Sequence, residues 1–240
     1  ALLTGQVQGL TTAQIEALGT RQVSSFAPAQ VSAIESDDLK SLAGAQVSVF
    51  APAQVAALKV SQIKELEVSQ VTSLVGLQVG ALGAGQVAAL STEQLVALSS
   101  SQVSFLNSIQ IGALLTDQIA AIETADIKGF APGQISTFST AQVRSLTSAQ
   151  VKTLSSAQVV SLSTAQLAVF AAGDLDLLET HQIRALSPQQ LKSLTADQIA
   201  GIELAQVGAL AVPQVSAFNT SQIQKPDKLL RSKRVVHNDY

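Results

Sequence analysis

The hydrophobic and polar positions of this chain recur every eight residues. Gln or Asp occupies all 28 positions in this step from Gln6 to Gln222, which we call the glutamine column. Three of its members are Asp38, Asp126 and Asp174. The next residue is always Val, Ile or Leu (the valine column), and the residue three further on is Leu, Ile or Phe at all 27 positions from Leu10 to Phe218 (the leucine column). No insertion or deletion interrupts this pattern.

An eight-residue unit favours a short helix that restarts in every octad. In one continuous α-helix, eight residues advance about 80° beyond two turns, so the apolar stripe would spiral around the helix and no face would stay buried. In a strand, the two apolar columns are three residues apart and would point to opposite faces. In a short helix, residues i and i+3 share a face, so both columns can enter one core.

The residues before each Gln are typical of a helix start. Ser or Thr three residues earlier makes Ser/Thr-x-x-Gln, the capping box, in which the two side chains satisfy backbone donors of the first turn. The clearest examples pair Ser139 with Gln142, Thr147 with Gln150, Ser155 with Gln158 and Ser163 with Gln166. Pro is favoured at the first helical position, and four Pro occupy the position two before Gln: Pro28, Pro52, Pro132 and Pro188.

These features predict an all-α repeat solenoid of about 28 eight-residue units over residues 1–224, each a short capped helix plus a turn. Such helices are not stable alone, so stacking must complete their core. The number of octads per turn stays open. Phe-Ala-Pro-Ala-Gln occurs at 26–30 and again three octads later at 50–54, but Phe-Ala-Pro-Gly-Gln at 130–134 follows the second copy by ten octads, which is no multiple of three.

Residues 225–240 form a basic tail outside the pattern. Pro226 stands where the next leucine-column residue would be, and five of the 14 Lys and Arg fall in the last 16 positions. We expect a terminal cap or frayed end. The alternatives are a self-assembly segment and an added or anion-binding segment. The residues that would carry self-assembly are Leu229, Leu230, Arg231, Val235 and Val236.

The amino-acid composition argues against several classes of function. The 240 residues carry a net charge of about −3, with 47% hydrophobic, 13% charged and 3% aromatic residues. A chain without Cys has no disulfides, thiol catalyst or Cys-based metal site. The charge and scarce aromatics disfavour nucleic-acid partners, and no apolar run reaches the length of a transmembrane segment. Because Met is absent, we expect a processed protein or a fragment.

We expect no enzyme, no cofactor and no metal. Two acidic clusters, one of Glu35, Asp37 and Asp38 and the other of Asp174, Asp176 and Glu179, could hold a cation, but we interpret them as solvated patches. His181 occupies a variable position before a column Gln, so we expect it to be exposed. The glutamine column could be a binding surface. We favour a structural role, in capping and in hydrogen bonds between neighbouring coils.

Octads such as Leu146–Thr153 and Leu162–Val169 resemble the repeat regions of large bacterial surface or secreted proteins of the adhesin-like, "haem utilisation or adhesion" type. The resemblance implies an extracellular fibre subunit or adhesin stalk, with another copy or a cell surface as partner. A binding module for a glycan, a host surface or ice is the alternative. Residues 187–191 also look similar to the repeat start of TAL effectors, whose unit is longer and has a second helix and a base-reading loop. We attribute that likeness to shared helix-start chemistry.

Overall fold

The computed structural model describes residues 2–223, with the side chain of Ala172 excepted. This part of the chain contains 27 α-helices, one 3₁₀ helix and no strand, and each octad supplies one helix. The predicted all-α repeat solenoid is confirmed. The chain divides after Phe130 into two compact units.

The first unit contains sixteen helices of four to six residues. They are α1 Thr4–Gln8, α2 Thr12–Glu16, α3 Thr20–Ser24, α4 Pro28–Val31, α5 Ser36–Ser41, α6 Gly44–Val47, α7 Pro52–Ala56, α8 Val60–Glu65, α9 Val68–Ser73, α10 Gly76–Ala81, α11 Ala84–Ala88, α12 Thr92–Val96, α13 Ser100–Val103, α14 Ser108–Ala113, α15 Thr116–Ala121 and α16 Thr124–Ile127.

The second unit continues the same series of short helices. They are α17 Pro132–Ile135, α18 Thr140–Arg144, α19 Ser148–Thr153, α20 Ser156–Ser161, α21 Thr164–Leu167, the 3₁₀ helix Ala172–Asp174, α22 Thr180–Ala185, α23 Pro188–Ser193, α24 Ala196–Gly201, α25 Leu204–Gly208, α26 Val212–Val215 and α27 Thr220–Ile223.

Each helix begins where the sequence predicts. The N-cap residue has extended backbone angles, as at Ala51 with φ −64° and ψ 150°, and the helix starts two residues before the column Gln. Pro28, Pro52, Pro132 and Pro188 are all the first residue of their helix, where a missing N–H costs nothing. The α-helices end one to three residues before the leucine column, whose backbone N–H bonds back to the valine-column carbonyl three residues earlier.

Three octads make one turn of the solenoid within each unit. In the first unit, α4 packs on α1, α7 on α4 and α10 on α7, and the other helices follow the same step of three. The second unit has the same order, with the 3₁₀ helix in the place of one α-helix. The sequence pattern did not reveal this three-octad period, although the first two Phe-Ala-Pro segments follow it.

The two apolar columns form the core. Valine-column residues from Val7 to Ile199 are buried, and leucine-column residues are buried from Ile34 to Ile202. Because both columns enter the core from every octad, each turn covers the apolar side chains of its neighbour. This stacking stabilises helices that are far too short to form by themselves.

Neighbouring turns also touch outside the core, where the first residue of a helix meets a residue of the following turn. One partner of three such pairs is a glycine. A Cβ added to Gly76 would lie 2.3 Å from the ring of Phe105, and Cβ atoms at Gly44 and Gly129 would lie 2.1 and 2.6 Å from side-chain atoms of Ser73 and Ser100. The glycine makes room for its partner in each pair.

Candidate functional site

The glutamine column is the main buried polar feature of the described residues, and Gln70 shows its geometry. The backbone N–H of Glu67, the N-cap of α9, donates to Oε1 of Gln70 at 2.9 Å. The amide Nε2 of Gln70 donates to the carbonyls of Leu42 at 2.7 Å and Leu39 at 2.8 Å, which belong to the preceding turn. Gln70 thus caps its own helix and binds the previous turn with one buried side chain.

The bond from Nε2 to a leucine-column carbonyl of the preceding turn recurs throughout both units. In the first unit, Gln46, Gln54, Gln62, Gln78, Gln86, Gln94, Gln102, Gln110 and Gln118 donate to Leu18, Phe26, Ile34, Phe50, Leu58, Leu66, Leu74, Leu82 and Leu90, in that order, at 2.6–2.8 Å. In the second unit, Gln166, Gln190, Gln198, Gln214 and Gln222 donate to Phe138, Leu162, Phe170, Leu186 and Leu194 at 2.6–2.8 Å. A buried amide must find such partners, because a lone one would cost about 1–3 kcal/mol.

The capping residues singled out in the sequence have the following geometry. In each of the four pairs the N-cap N–H donates to the Gln Oε1, and the Gln N–H donates to the N-cap hydroxyl. The first distance is 2.8 Å for Ser139–Gln142, Thr147–Gln150 and Ser155–Gln158 and 2.7 Å for Ser163–Gln166, and the second is 3.2 Å in all four pairs.

The hydroxyl half of this capping box is optional. At α7 the N-cap is Ala51, which has no hydroxyl, yet its N–H still donates to Oε1 of Gln54 at 2.5 Å. The bond from the N-cap N–H to Oε1 of the column Gln is therefore the part of the capping box that recurs generally. This explains why the glutamine column tolerates little besides Asp, whereas the N-cap position varies.

The three aspartates of the glutamine column make a different cross-turn contact. A carboxylate has no donor for a carbonyl, so each Asp accepts instead from the first residue of a helix in the preceding turn. Thr12 donates to Asp38 at 2.7 Å, Ser148 lies 3.4 Å from Asp174, and Ser100 donates its hydroxyl and its backbone N–H to Asp126. Burial and the nearby Glu123 raise the pKa of Asp126, and the bonds from Ser100 counteract this in part.

The predicted acidic clusters do not converge into a metal site in the part of the chain that the structure describes. Glu35 and Asp37 are exposed, whereas Asp38 is buried against Thr12. In the second cluster, Glu179 is exposed, and Asp174 and Asp176 are partly buried.

His181 is exposed and lies 3.1 Å from Glu179. It lines an open groove of about 540 Å³ beside the 3₁₀ segment, together with Arg184, Glu203 and Asp176. Both charge signs are mixed in this groove, so it presents no uniform field to a ligand. The tail residues Leu229, Leu230, Arg231, Val235 and Val236 lie outside the described residues.

Comparison with known families identifies the repeat. The model of the ALTTAQ repeat matches residues 31–68, 79–116, 119–156 and 175–212, more than half of the chain. The chain belongs to the ALTTAQ repeat family. No curated protein matches it.

The ALTTAQ matches follow the octads of the structure. All four begin on a valine-column residue, namely Val31, Val79, Ile119 and Leu175. Each match ends on the first residue of a later helix, so it contains several complete capped helices. As for membrane segments, no helix between residues 2 and 223 combines the length and the apolar character of a bilayer span.

Proposed function

We propose that this ALTTAQ repeat chain is a structural protein of the cell exterior, a fibre subunit or adhesin stalk that self-assembles or presents a binding surface. The observation that carries this proposal is the use of Gln70 and its equivalents. The Nε2 donor and the Oε1 acceptor of their side chains both bind backbone groups of the fold. Nearly all buried polar side chains of the described residues are such Gln, and the others are Asp38 and Asp126.

A stalk acts through its length and integrity, so its turns should be alike, and removal of one complete turn should leave the fold intact. The contacts within each unit support this expectation, because successive octads repeat one set of contacts and each turn packs on its neighbours. The resemblance of the octads to bacterial surface proteins supports the extracellular setting.

The binding-module alternative would need a regular polar face. Exposed apolar side chains interrupt the polar surface of the first unit, including Leu77 at 65% and Ile109 at 73% exposure. This favours the structural proposal over recognition of ice or glycan by a repeated polar surface.

The first test is location. Antibodies against this chain should label intact cells of the source organism as strongly as permeabilised cells, and brief external protease should remove the label. Labelling that appears only after permeabilisation would contradict an extracellular role.

The second test is expendability. A variant without residues 43–66 loses three octads and joins Leu42 to Glu67, which restores the octad order. It should still be displayed and folded. A variant without residues 43–54, a smaller deletion that breaks the order, should lose display. A single exposed change such as His181→Ala should leave surface display unaffected. If it abolished display while the fold persisted, a local binding or catalytic site would explain the protein better.

A further inference from the structure

The first unit is almost free of charge over about two turns of its solenoid. Residues 68–116 contain one charged residue, Glu93, whereas residues 1–67 contain ten and residues 117–130 contain four. Over residues 1–130 as a whole, ten acidic residues stand against five basic ones. Two copies of this unit therefore repel each other wherever their charged parts meet, and residues 68–116 are the part where this repulsion is weakest.

Three large apolar side chains are exposed together in this charge-poor stretch. The ring of Phe105, which is half-exposed, lies against Gly76 of the preceding turn, where an added Cβ would come within 2.3 Å of it. Val75 and Leu77 flank Gly76 along the chain, and both are exposed. We call Val75, Leu77 and Phe105 the Phe105 patch. Ile109, which is exposed as well, follows Phe105 by four residues.

These side chains depart from the octad pattern. Of the 28 residues that directly precede a glutamine-column residue, only Leu77 and Ile109 are large aliphatic residues. Phe105 is the only one of the seven Phe that lies outside the leucine column. The two apolar columns fill the core without them, so their apolar surface is offered to the outside. Exposed apolar side chains that lie together, unlike scattered ones, mark an interaction surface.

The lack of charge around the patch indicates its partner. An anionic bilayer is bound through Lys or Arg, and residues 68–116 contain neither. A partner that is steered by charge would need a field that this stretch lacks. A second copy of the chain needs no complementary charge, because apolar side chains pack on their like. The same stretch is also where two acidic copies can approach with the least repulsion.

We propose that the Phe105 patch of one chain packs on the Phe105 patch of a second copy. The proposal rests on the self-assembly named in the proposed function and gives that assembly a surface. Because the same residues serve both copies, the contact is twofold and closes at a dimer. It joins two chains through their first units.

Sedimentation of the full chain over a concentration series tests the patch first. Val75→Ser with Leu77→Ser removes apolar surface at positions where other octads carry Ser, as at Ser99 and Ser101, so the fold should persist. The dissociation constant of the dimer should rise by roughly 100-fold, since both copies lose the apolar contact. The matched control, Val160→Ser with Leu204→Ser, removes two exposed apolar side chains of the second unit and should associate like the wild type.

Ionic strength distinguishes this contact from one made by opposite charges. Salt screens the repulsion between two acidic copies but leaves the apolar contact in place, so the dimer should tighten several-fold between about 0.02 M and about 0.5 M NaCl. Association that weakened over this range would indicate a contact of opposite charges, such as the basic tail against an acidic surface, and would overturn the proposal.

A charge exchange tests whether the patch meets its own image. Leu77→Glu and Leu77→Lys introduce charges at the octad position that Glu93 and Arg21 occupy, so both variants should fold, which melting verifies. Each variant alone should stay monomeric because like charges meet across the contact. The two variants mixed should form a 1:1 dimer. Leu204→Glu and Leu204→Lys, at an exposed position outside the patch, are the controls and should each dimerise alone.

Four results would contradict the pairing: a wild type that is monomeric at its highest soluble concentration, unchanged association of the serine variant, no complex of the charge variants on mixing, or species larger than a dimer. Loss of association on Leu229→Glu with Leu230→Glu would assign assembly to the tail and also overturn the pairing. So would a monomeric wild type that bound neutral phosphatidylcholine vesicles, since the patch would then serve a lipid surface.

The location of the protein is measured separately by antibody labelling of intact cells. Labelling of intact cells by a chain that does not dimerise would overturn only the pairing of the Phe105 patch. A dimer that is labelled only after permeabilisation would overturn only the extracellular role.

Discussion

The side-chain amide of Gln70 donates to the backbone carbonyl of Leu42, one turn of the solenoid earlier, at 2.7 Å. The same side chain accepts the N–H of Glu67, which starts its own helix. One residue type thus combines a local cap with a contact between turns. This dual role explains why Gln, rather than the shorter Asp or the acceptor-only Glu, dominates the column.

The first prediction concerns this amide. Gln70→Glu keeps the acceptor for Glu67 but places a carboxylate against the carbonyls of Leu39 and Leu42, so the free energy of unfolding should fall by about 2–4 kcal/mol at pH 7. Burial beside these oxygens raises the pKa of the introduced carboxyl. The loss should therefore shrink as the pH falls and the group becomes protonated.

Urea unfolding at pH 4 and pH 7, with amide exchange over residues 39–74, measures this effect. Gln14→Glu is the matched control, because Gln14 makes the same capping bond but is exposed, and its Nε2 donates to no carbonyl of the described residues. It should change the free energy of unfolding by less than about 0.5 kcal/mol. Equal losses in both variants would show that the bond between turns contributes little.

The second prediction concerns Asp126, whose pKa is raised above its ordinary value of 3.8 by burial and by Glu123. A raised pKa in the folded state means that the contribution of this site is fully present below pH 3.8 and is lost as the pH rises through the folded value. Asp126→Gln should remove this loss and add the missing donor to the carbonyl of Leu98, which corresponds to Leu42 in the Gln70 pair. We expect a gain of about 1 kcal/mol at pH 7 that diminishes toward pH 3.

Thermal melting between pH 3 and 7 checks this second prediction. The control Asp117→Gln changes an exposed carboxylate on α15 and should not reproduce the gain in stability at pH 7. A variant Asp126→Gln that was less stable than the wild type at every pH would mean that the bond from Ser100 outweighs the cost of burial.

The third prediction uses the contact of Gly76 with Phe105. Gly76→Ala should destabilise the protein by about 1–3 kcal/mol, because its Cβ would lie 2.3 Å from the ring. Gly112→Ala in α14 meets no atom within 4 Å and should instead stabilise it by about 0.4–1 kcal/mol. Adding Phe105→Ala to Gly76→Ala should recover most of the loss in a double-mutant cycle. Two additive single effects would exclude direct contact.

The fourth prediction tests the position of the helix starts. Ser156→Pro falls on the first residue of α20, as Pro188 does in α23, and should be tolerated within about 1 kcal/mol. Val160→Pro changes an exposed residue inside the same helix and should cost about 3 kcal/mol or more. Circular dichroism during melting measures both. Similar midpoints for the two variants would disprove the assigned helix start.

Much of this architecture is local and can be predicted from the sequence. Ser155 and Gln158 are three positions apart, so a single octad already contains its helix start, its cap and its two core positions. Hydrophobic and capping signals at this distance act within one turn of helix. The all-α class, the repeat boundaries and the N1 position of Pro52 could therefore be read without any tertiary information.

The three-octad turn could not be predicted in this way, because the octads are nearly alike and each accepts any other as its neighbour. Only tertiary packing places α7 on α4, and this three-octad step brings together the residues that are far apart along the chain. Gln70 with Leu42, Ser100 with Asp126 and Gly76 with Phe105 are each more than three octads apart along the chain. The sequence by itself determined the helix of each octad, since that depends on neighbours along the chain. The tertiary structure decided the partners between turns, since those depend on the rotation from one octad to the next.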